Sequence, residues 1–243
     1  NGNVSFSSIR SLSVSMSDGQ IDTGRGVKIL TTEEELRSYM RRFGNMHNAK
    51  LNSAFEFLQG RIDSPVNLYD WGCGQALASM AFMDNFGTKN VKSVILIEPS
   101  IKSIMRASLH LRCYEPKLPI KTIAKKFNEL VPDDFPQRKA DVNVHLFSNV
   151  LDMDDYDQLG LFDMVDESLS DVNYFVCVSP YIDDVKTDRV DQFKRHFELK
   201  YNGSFEMLGS HQTTNSEIDD YWHCNNNYKG YFNSQFCEYG PHK

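Results

Sequence analysis

No apolar run in this chain approaches the roughly 20 residues that a bilayer-spanning helix requires, so nothing in it reads as a membrane segment. Positive charge is in deficit: 26 Lys and Arg stand against 33 Asp and Glu, and a net charge of −7 argues against a general surface for nucleic acid. The local basic patches, Arg41 with Arg42 and Lys121 with Lys125 and Lys126, read as solvated helix and strand-end charge. Cysteines are few, five in all (Cys73, Cys113, Cys177, Cys224, Cys237), odd in number and without CxxC spacing. That usage suits a reducing cytoplasm better than a disulfide framework. No internal repeat recurs at a useful period. A signal-peptide pattern is also missing, although the first residue is Asn1 rather than methionine, which fits a segment of a longer protein.

What is present suits one α/β domain with flanking elaborations: 243 residues, 40% hydrophobic and 24% charged. Residues 1–26 are rich in Ser and Gly with a weak apolar alternation, and read as a mobile or edge-strand leader. Thr32 and Glu35 form a capping box that opens a helix over about 33–43. After Gly44 the spacing of Met46, Leu51, Phe55 and Leu58 predicts a second helix ending at Gly60. Residues 1–60 are thus a flexible leader and helical cap, and 61–243 the main domain.

Beyond the cap the signals alternate. Apolar, β-branched stretches predict strands at 66–70, 92–97, 119–124, 142–147 and 172–178. Helical patterns fill 75–86, 100–113, about 154–169 and 183–197. In the second of these, Ile101, Ile104, Met105 and Leu109 read as the buried face behind a capping Ser100. Pro132 and Pro136 leave little more than a short helix in 125–141. Past residue 200 the helical period is lost, and an Asn-rich turn at 225–227 among many aromatics predicts one or two antiparallel strands at the sheet edge. Strand-helix alternation with apolar strands predicts a parallel sheet covered on both faces.

The stretch VNLYDWGCGQALASMAF, residues 66–82, runs a strand through Asp70 into Gly72 and Gly74 and then into a helix. Small residues there let the backbone turn sharply and approach a ligand, which the N–H groups of the helix start then face. The next strand ends VILIEPS, placing Glu98 at the adjacent carboxyl edge, where two oxygens can accept from the vicinal hydroxyls of a ribose. A dinucleotide would call for G-x-G-x-x-G, but Leu77 holds the last position, and Asp70 just before the glycines repels phosphate. A ligand bearing an ammonium or sulfonium, S-adenosylmethionine (SAM), suits this turn better than NAD.

DWGCGQA resembles motif I, and ILIEPS motif II, of the class I SAM-dependent methyltransferases, over roughly residues 60–200. The resemblance implies a three-layer α/β Rossmann-like fold with a seven-stranded, mostly parallel sheet, an N-terminal helical cap and an antiparallel C-terminal strand. It implies Asp70, Gly72, Cys73 and Gly74 around the methionine moiety of SAM, and Glu98, with Pro99 beside it, on the ribose. Ala76 replaces the third motif glycine and adds one methyl group at the helix start.

Ser148 and Asn149, after the fourth strand, belong with the cofactor-binding residues; their alternative role is to cap the following helix. The sequence there, SNVL, does not match the motif of adenine or cytosine amino-methyltransferases. Asp152, Tyr181 and His145 fall near the expected cleft mouth, but each reads first as a structural residue, with a role in the cleft as the alternative. His211, His223, Cys224, Cys237 and His242 match no common zinc spacing, and no metal is expected. Of the polar and aromatic residues in 39–50 (Tyr39, Arg41, Arg42, His47, Asn48, Lys50), some are expected to face the methionine carboxylate or the acceptor, the alternative being a two-helix cap whose face is simply solvated. The expected activity is methyl transfer from SAM to an unidentified acceptor, whether small molecule, protein or RNA. The alternatives are a catalytically inactive methyltransferase-like binding or assembly module and, less in keeping with Leu77 and Asp70, an NAD-dependent oxidoreductase.

Overall fold

The computed structural model of the chain describes residues 4–15, 21, 28–135, 141–179 and 184–210. Two helices lead, α1 (Phe6–Ser15) and α2 (Glu33–Glu56). There follow β1 (Val66–Trp71), α3 (Leu77–Phe86), β2 (Val91–Ile97), α4 (Ile101–Tyr114), β3 (Ile120–Ile123), β4 (Val142–Ser148), α5 (Gln158–Glu167), β5 (Val172–Val178) and α6 (Asp184–Lys200). The strands form one sheet in the order β3-β2-β1-β4-β5, every pair parallel. Connections run outward from β1 to β3 on one side and from β4 to β5 on the other, so the order reverses between β1 and β4. In open sheets of this kind, that crevice at the carboxyl ends of the strands is where ligands bind.

Alternate residues of each strand feed two cores. Val66, Leu68, Val94, Leu96, Val144 and Leu146 pack beneath α1 to α4. Tyr69, Trp71, Ile95, Ile97 and Phe147 face the opposite way, against α5 and α6. Burial on both faces explains why the strands read as near-continuous apolar runs. The chain therefore has a Rossmann-like α/β fold around a parallel sheet. The sheet has five strands among the described residues, not seven, and none of them is antiparallel. After α6 the chain turns through the left-handed Gly203 and runs on to Ser210 without sheet pairing. Residues 211–243, on which the predicted antiparallel strands fall, lie outside the described residues.

The leader differs from the sequence reading. Residues 6–15 are helical because Phe6, Ile9, Arg10 and Ser13 recur at helical spacing and are buried against α2 and α3. Ser5 and Ser8 exchange backbone-to-hydroxyl bonds of 3.0 and 3.2 Å at the start, and Asp84 of α3 accepts the Phe6 N–H at 2.9 Å. The second difference is α2, one helix where two were predicted. Gly44 does not break it; a Cβ there would stand 3.1 Å from the Phe6 ring and 3.2 Å from the Met40 sulfur, so the glycine is a packing notch for α1. The predicted capping box at Thr32 and Glu35 is present.

Helix α4 also corrects the reading. Ser100 caps it as predicted, but its buried face is Ser103, Ile104, Ala107, His110 and Leu111. Ile101, Met105 and Leu109 point to solvent.

Candidate functional site

The first turn of the site is built at the carboxyl end of β1. The backbone takes left-handed φ at three alternate positions, Gly72 (66°), Gly74 (50°) and Ala76 (62°). Each is a conformation that disfavours a side chain, and this is why a glycine is the natural third residue; Ala76 occupies it at a cost of about 1–2 kcal/mol. The turn is pinned on both sides. Cys73 donates its N–H to the Ile97 carbonyl of β2 at 2.9 Å, and Ala76 donates to the Cys73 carbonyl at 2.7 Å. Gly72 is the crowded position, since a Cβ there would lie 2.4 Å from a Val150 methyl; at Gly74 nothing stands within 4 Å of one. The open side of the turn is therefore at Gly74.

Asp70 does not project freely. Its carboxylate accepts the Ser79 backbone N–H at 3.2 Å and the Ser79 hydroxyl at 2.7 Å, clamping the first turn of α3 to β1. Burial outweighs those bonds and raises its pKa to about 6. Glu98 lies across the turn. One of its oxygens accepts the Gly74 N–H at 3.1 Å and the other the Ser100 N–H at 2.9 Å. Each oxygen keeps a lone pair for a further donor. Burial, then the nearby Asp70 charge, hold Glu98 above its ordinary range against the two backbone bonds. Pro99 links Glu98 to the capping Ser100, whose hydroxyl donates to the Leu30 carbonyl and so ties the strap before α2 to this edge. Cys73 is buried inside the turn, which pushes its thiol well up.

The second wall is the end of β4. Ser148 pairs with Val178 of β5. Asn149 takes a left-handed φ of 59° and donates its N–H to the Val178 carbonyl at 2.7 Å. Its amide donates to the Ser148 hydroxyl at 3.0 Å, and its side-chain oxygen accepts from the ammonium of Lys50 on α2. Neither residue caps α5; Asp157 does, accepting from the N–H groups of Leu159 and Gly160. Asp152 accepts from the Ser179 hydroxyl at 3.1 Å and is buried.

Helix α2 roofs the cleft. Tyr39, Phe43 and His47 line one face with ring centroids 5.2 to 6.0 Å apart. Burial, followed by the charges of Glu98 and Asp152, holds the Tyr39 phenol above its ordinary range, so it stays neutral between two acids. The Gln75 amide donates to the Leu36 carbonyl at 2.8 Å and fastens the glycine turn to the roof. Arg42 is directed elsewhere, over the Phe43 ring and toward the Ile21 carbonyl. No sequence signal marked Ser79 or Gln75, because both act through their bonds to distant backbone and carboxylate groups.

Of the remaining candidates, His145 is not at the cleft mouth. It is fully buried in the sheet, stacked between Tyr69 (4.8 Å) and Phe175 (4.9 Å), and accepts from the Trp71 indole at 3.3 Å. Burial lowers its pKa to about 3, so it is a neutral core residue. Tyr181 and the histidines and cysteines of the tail lie outside the described residues. Among the described residues, no three His, Cys, Asp or Glu stand together in a way that would hold a metal ion.

No family model matches the chain, and no curated protein matches it. Among solved structures, it resembles a SAM-dependent methyltransferase of Leishmania major, with 15% identity over 71% of each chain and a TM-score of 0.48. An S-adenosylmethionine-dependent methyltransferase from Mesorhizobium loti is similar at 20% identity over 54% of each chain, TM-score 0.39. A third likeness is to the plantazolicin methyltransferase BpumL, solved in complex with a monoazolic desmethylPZN analog and SAH, at 10% identity over 69% of this chain and 68% of that one, TM-score 0.40.

Proposed function

We propose that this chain binds SAM in the crevice between β1 and β4 and transfers its methyl group to an acceptor. The observation that carries the reading is the pairing of Glu98 with the glycine turn: a carboxylate from β2, held by the Gly74 and Ser100 N–H groups, beside the open side of a left-handed turn. Its spare lone pairs suit a ribose diol, while the buried Asp70 and the half-buried Glu98 disfavour a pyrophosphate. Gly72, Cys73 and Gly74 would border the methionine moiety, and Pro99 would stand beside the ribose. Asn149 and Ser148 would lie on the methyl side, with Lys50 and Tyr39 on the roof above.

Bound SAM supplies an electrophilic methyl on a sulfonium whose departure leaves a neutral thioether. Displacement of that kind asks the protein for alignment and exclusion of water more than for an acid–base pair. The roofing of the cleft by α2 and the locked end of β4 serve that need. The acceptor, whether small molecule, protein or RNA, is selected from the Asn149 side.

The same reading divides the chain into a cap over 1–60 and a methyltransferase-like domain over 61–243. It also extends the sheet past β5 with antiparallel strands drawn from residues after Ser210. β4 is the one sheet partner of β5 among the described residues. Its other edge borders a cavity of about 700 Å³ walled by Phe57 and Leu58 at the end of α2, Phe193 and Phe197 of α6, and the outgoing Met207 and Leu208. A cytoplasmic setting agrees with Cys73, Cys113 and Cys177, all free thiols.

Isothermal titration with SAM and S-adenosylhomocysteine tests the reading. The expected result is saturable heat with the wild type and affinity at least about tenfold weaker in Glu98→Ala, or about 1.4 kcal/mol. No heat from the wild type overturns the cofactor assignment. Binding without turnover on any acceptor would favour the non-enzymatic module.

A further inference from the structure

Helix α4 has two apolar faces. Ile104, Ala107 and Leu111 enter the core. On the other face Ile101, Met105 and Leu109, one turn apart at i, i+4 and i+8, are 64, 62 and 63% exposed. Single exposed aliphatic residues are ordinary, but three aligned on one helix face form a stripe about 12 Å long. Ile29 is also exposed, one residue from the Leu30 carbonyl that Ser100 holds at the head of α4.

The charge carried by the helix itself has one sign. Helix α4 carries Lys102, Arg106 and Arg112 and no acidic residue, in a chain whose net charge is −7. Arg106 is paired with Glu33 of α2, whereas Lys102 and Arg112 are exposed beside the stripe. Arg112 spends one donor on the Pro116 carbonyl at 3.2 Å and has others to offer.

From this arrangement we infer that the outer face of α4 docks an acidic amphipathic helix of a partner protein. The partner's apolar residues pack between Ile101, Met105 and Leu109, and its carboxylates meet Lys102 and Arg112. Two turns of stripe match the anchor spacing of a helix laid along a helix. A second copy of this chain fits poorly: antiparallel pairing about Met105 stacks Ile101 on Leu109 but brings Lys102 within about a turn of the other copy's Arg112, and parallel pairing opposes like charges directly. An anionic membrane would gain only about 1 kcal/mol from each of two exposed cations, with a stripe too narrow to insert. This inference does not depend on the methyltransferase reading. It places the partner beside the Glu98 edge, because α4 begins directly after Glu98, Pro99 and Ser100.

The test uses the full chain and a fluorescein-labelled synthetic helix of about four turns, with leucines at helical spacing flanked by glutamates, and a twin in which lysines replace the glutamates. Anisotropy should show the acidic helix binding, the basic twin failing, and binding weakening with added salt. Met105→Glu should weaken binding at least about tenfold while its thermal unfolding stays at the wild-type midpoint, as befits an exposed position. Equal binding of the two helices, no binding of the acidic one, or unchanged binding to Met105→Glu overturns the inference. Light scattering that shows a dimer dispersed by Met105→Glu would instead assign the face to a second copy. Flotation with phosphatidylserine vesicles in the absence of peptide binding would assign it to a membrane.

Discussion

Lys50 and Asn149, 99 positions apart in sequence, meet through an ammonium-to-amide hydrogen bond that joins the roof helix α2 to the carboxyl end of β4. Lys50 is fully buried, and Asn149 holds a left-handed φ of 59° that few residues other than glycine tolerate. Asn149→Ala removes the acceptor and retains the backbone strain, and should cost about 2–3 kcal/mol in urea unfolding. Lys50→Met keeps most of the apolar stem. A double-mutant cycle over the two should give a coupling of at least about 1 kcal/mol. Strict additivity would mean the bond does not tie the roof to the sheet.

Asp70 makes stability depend on pH in a defined direction. Its folded pKa is raised from 3.8 to about 6, so the folded state prefers the protonated carboxyl. The contribution is complete below the unfolded value, declines as pH rises from about 4 through about 6, and is flat above; two units correspond to about 3 kcal/mol. Asp70→Asn keeps an oxygen for the two Ser79 donors and cannot ionise. Measured as the difference from wild type, its stability should therefore rise between about pH 4 and about pH 7. A pH-independent difference would show that Asp70 titrates normally.

Gly72 and Gly74 should respond differently to the same methyl group. At Gly72 an added Cβ collides with a Val150 methyl at 2.4 Å and meets a φ of 66°, so Gly72→Ala should cost about 3 kcal/mol or more. Adding Val150→Ala should recover the steric part and leave the ~1–2 kcal/mol of left-handed strain. Gly74→Ala meets only the same left-handed strain, about 1–2 kcal/mol, because its Cβ faces open space. SAM affinity, by contrast, should fall more at Gly74. Equal stability losses at the two glycines would contradict the packing around Val150.

The five strands, the Thr32 capping box and the Ser100 cap were legible because each rests on local pattern: apolar runs, a side-chain oxygen three residues before an acid, a serine before a helix. Glu98 and the glycine turn were legible for the same reason, since each lies at the end of a readable strand. Helix α1 was not, because serines dilute its apolar period and its stability comes from burying Phe6 and Ile9 on α2 and α3. The exposed side of α4 was misassigned because Ile101, Met105 and Leu109 share the helical period of a core face; only packing distinguishes inside from outside. His145, by contrast, takes the structural role that the sequence favoured for it, enclosed by aromatic rings in the sheet. The Asp70–Ser79 and Lys50–Asn149 bonds depend on distances in space that sequence spacing does not encode.

Gly44 offers a test in which one substitution changes sign with its partner. In a helix interior, alanine is favoured over glycine by about 1 kcal/mol. Here a Cβ would stand 3.1 Å from Phe6, 3.2 Å from Met40 and 3.3 Å from Arg10, tighter than ordinary contact. Phe6 is buried and held at its N–H by Asp84 at 2.9 Å, so the ring has little room to retreat. Gly44→Ala in the wild type should therefore destabilise by about 1–2 kcal/mol despite the better helix propensity. Phe6→Ala alone should cost about 3–4 kcal/mol through the cavity it opens between α1 and α2. In that cavity the rigid ring is gone and the flexible Met40 and Arg10 side chains can move aside, so the same substitution should stabilise the Phe6→Ala protein by up to about 1 kcal/mol. The four unfolding free energies of the cycle decide the matter. A Gly44→Ala effect of the same sign in both backgrounds would mean that α1 does not pack into the notch.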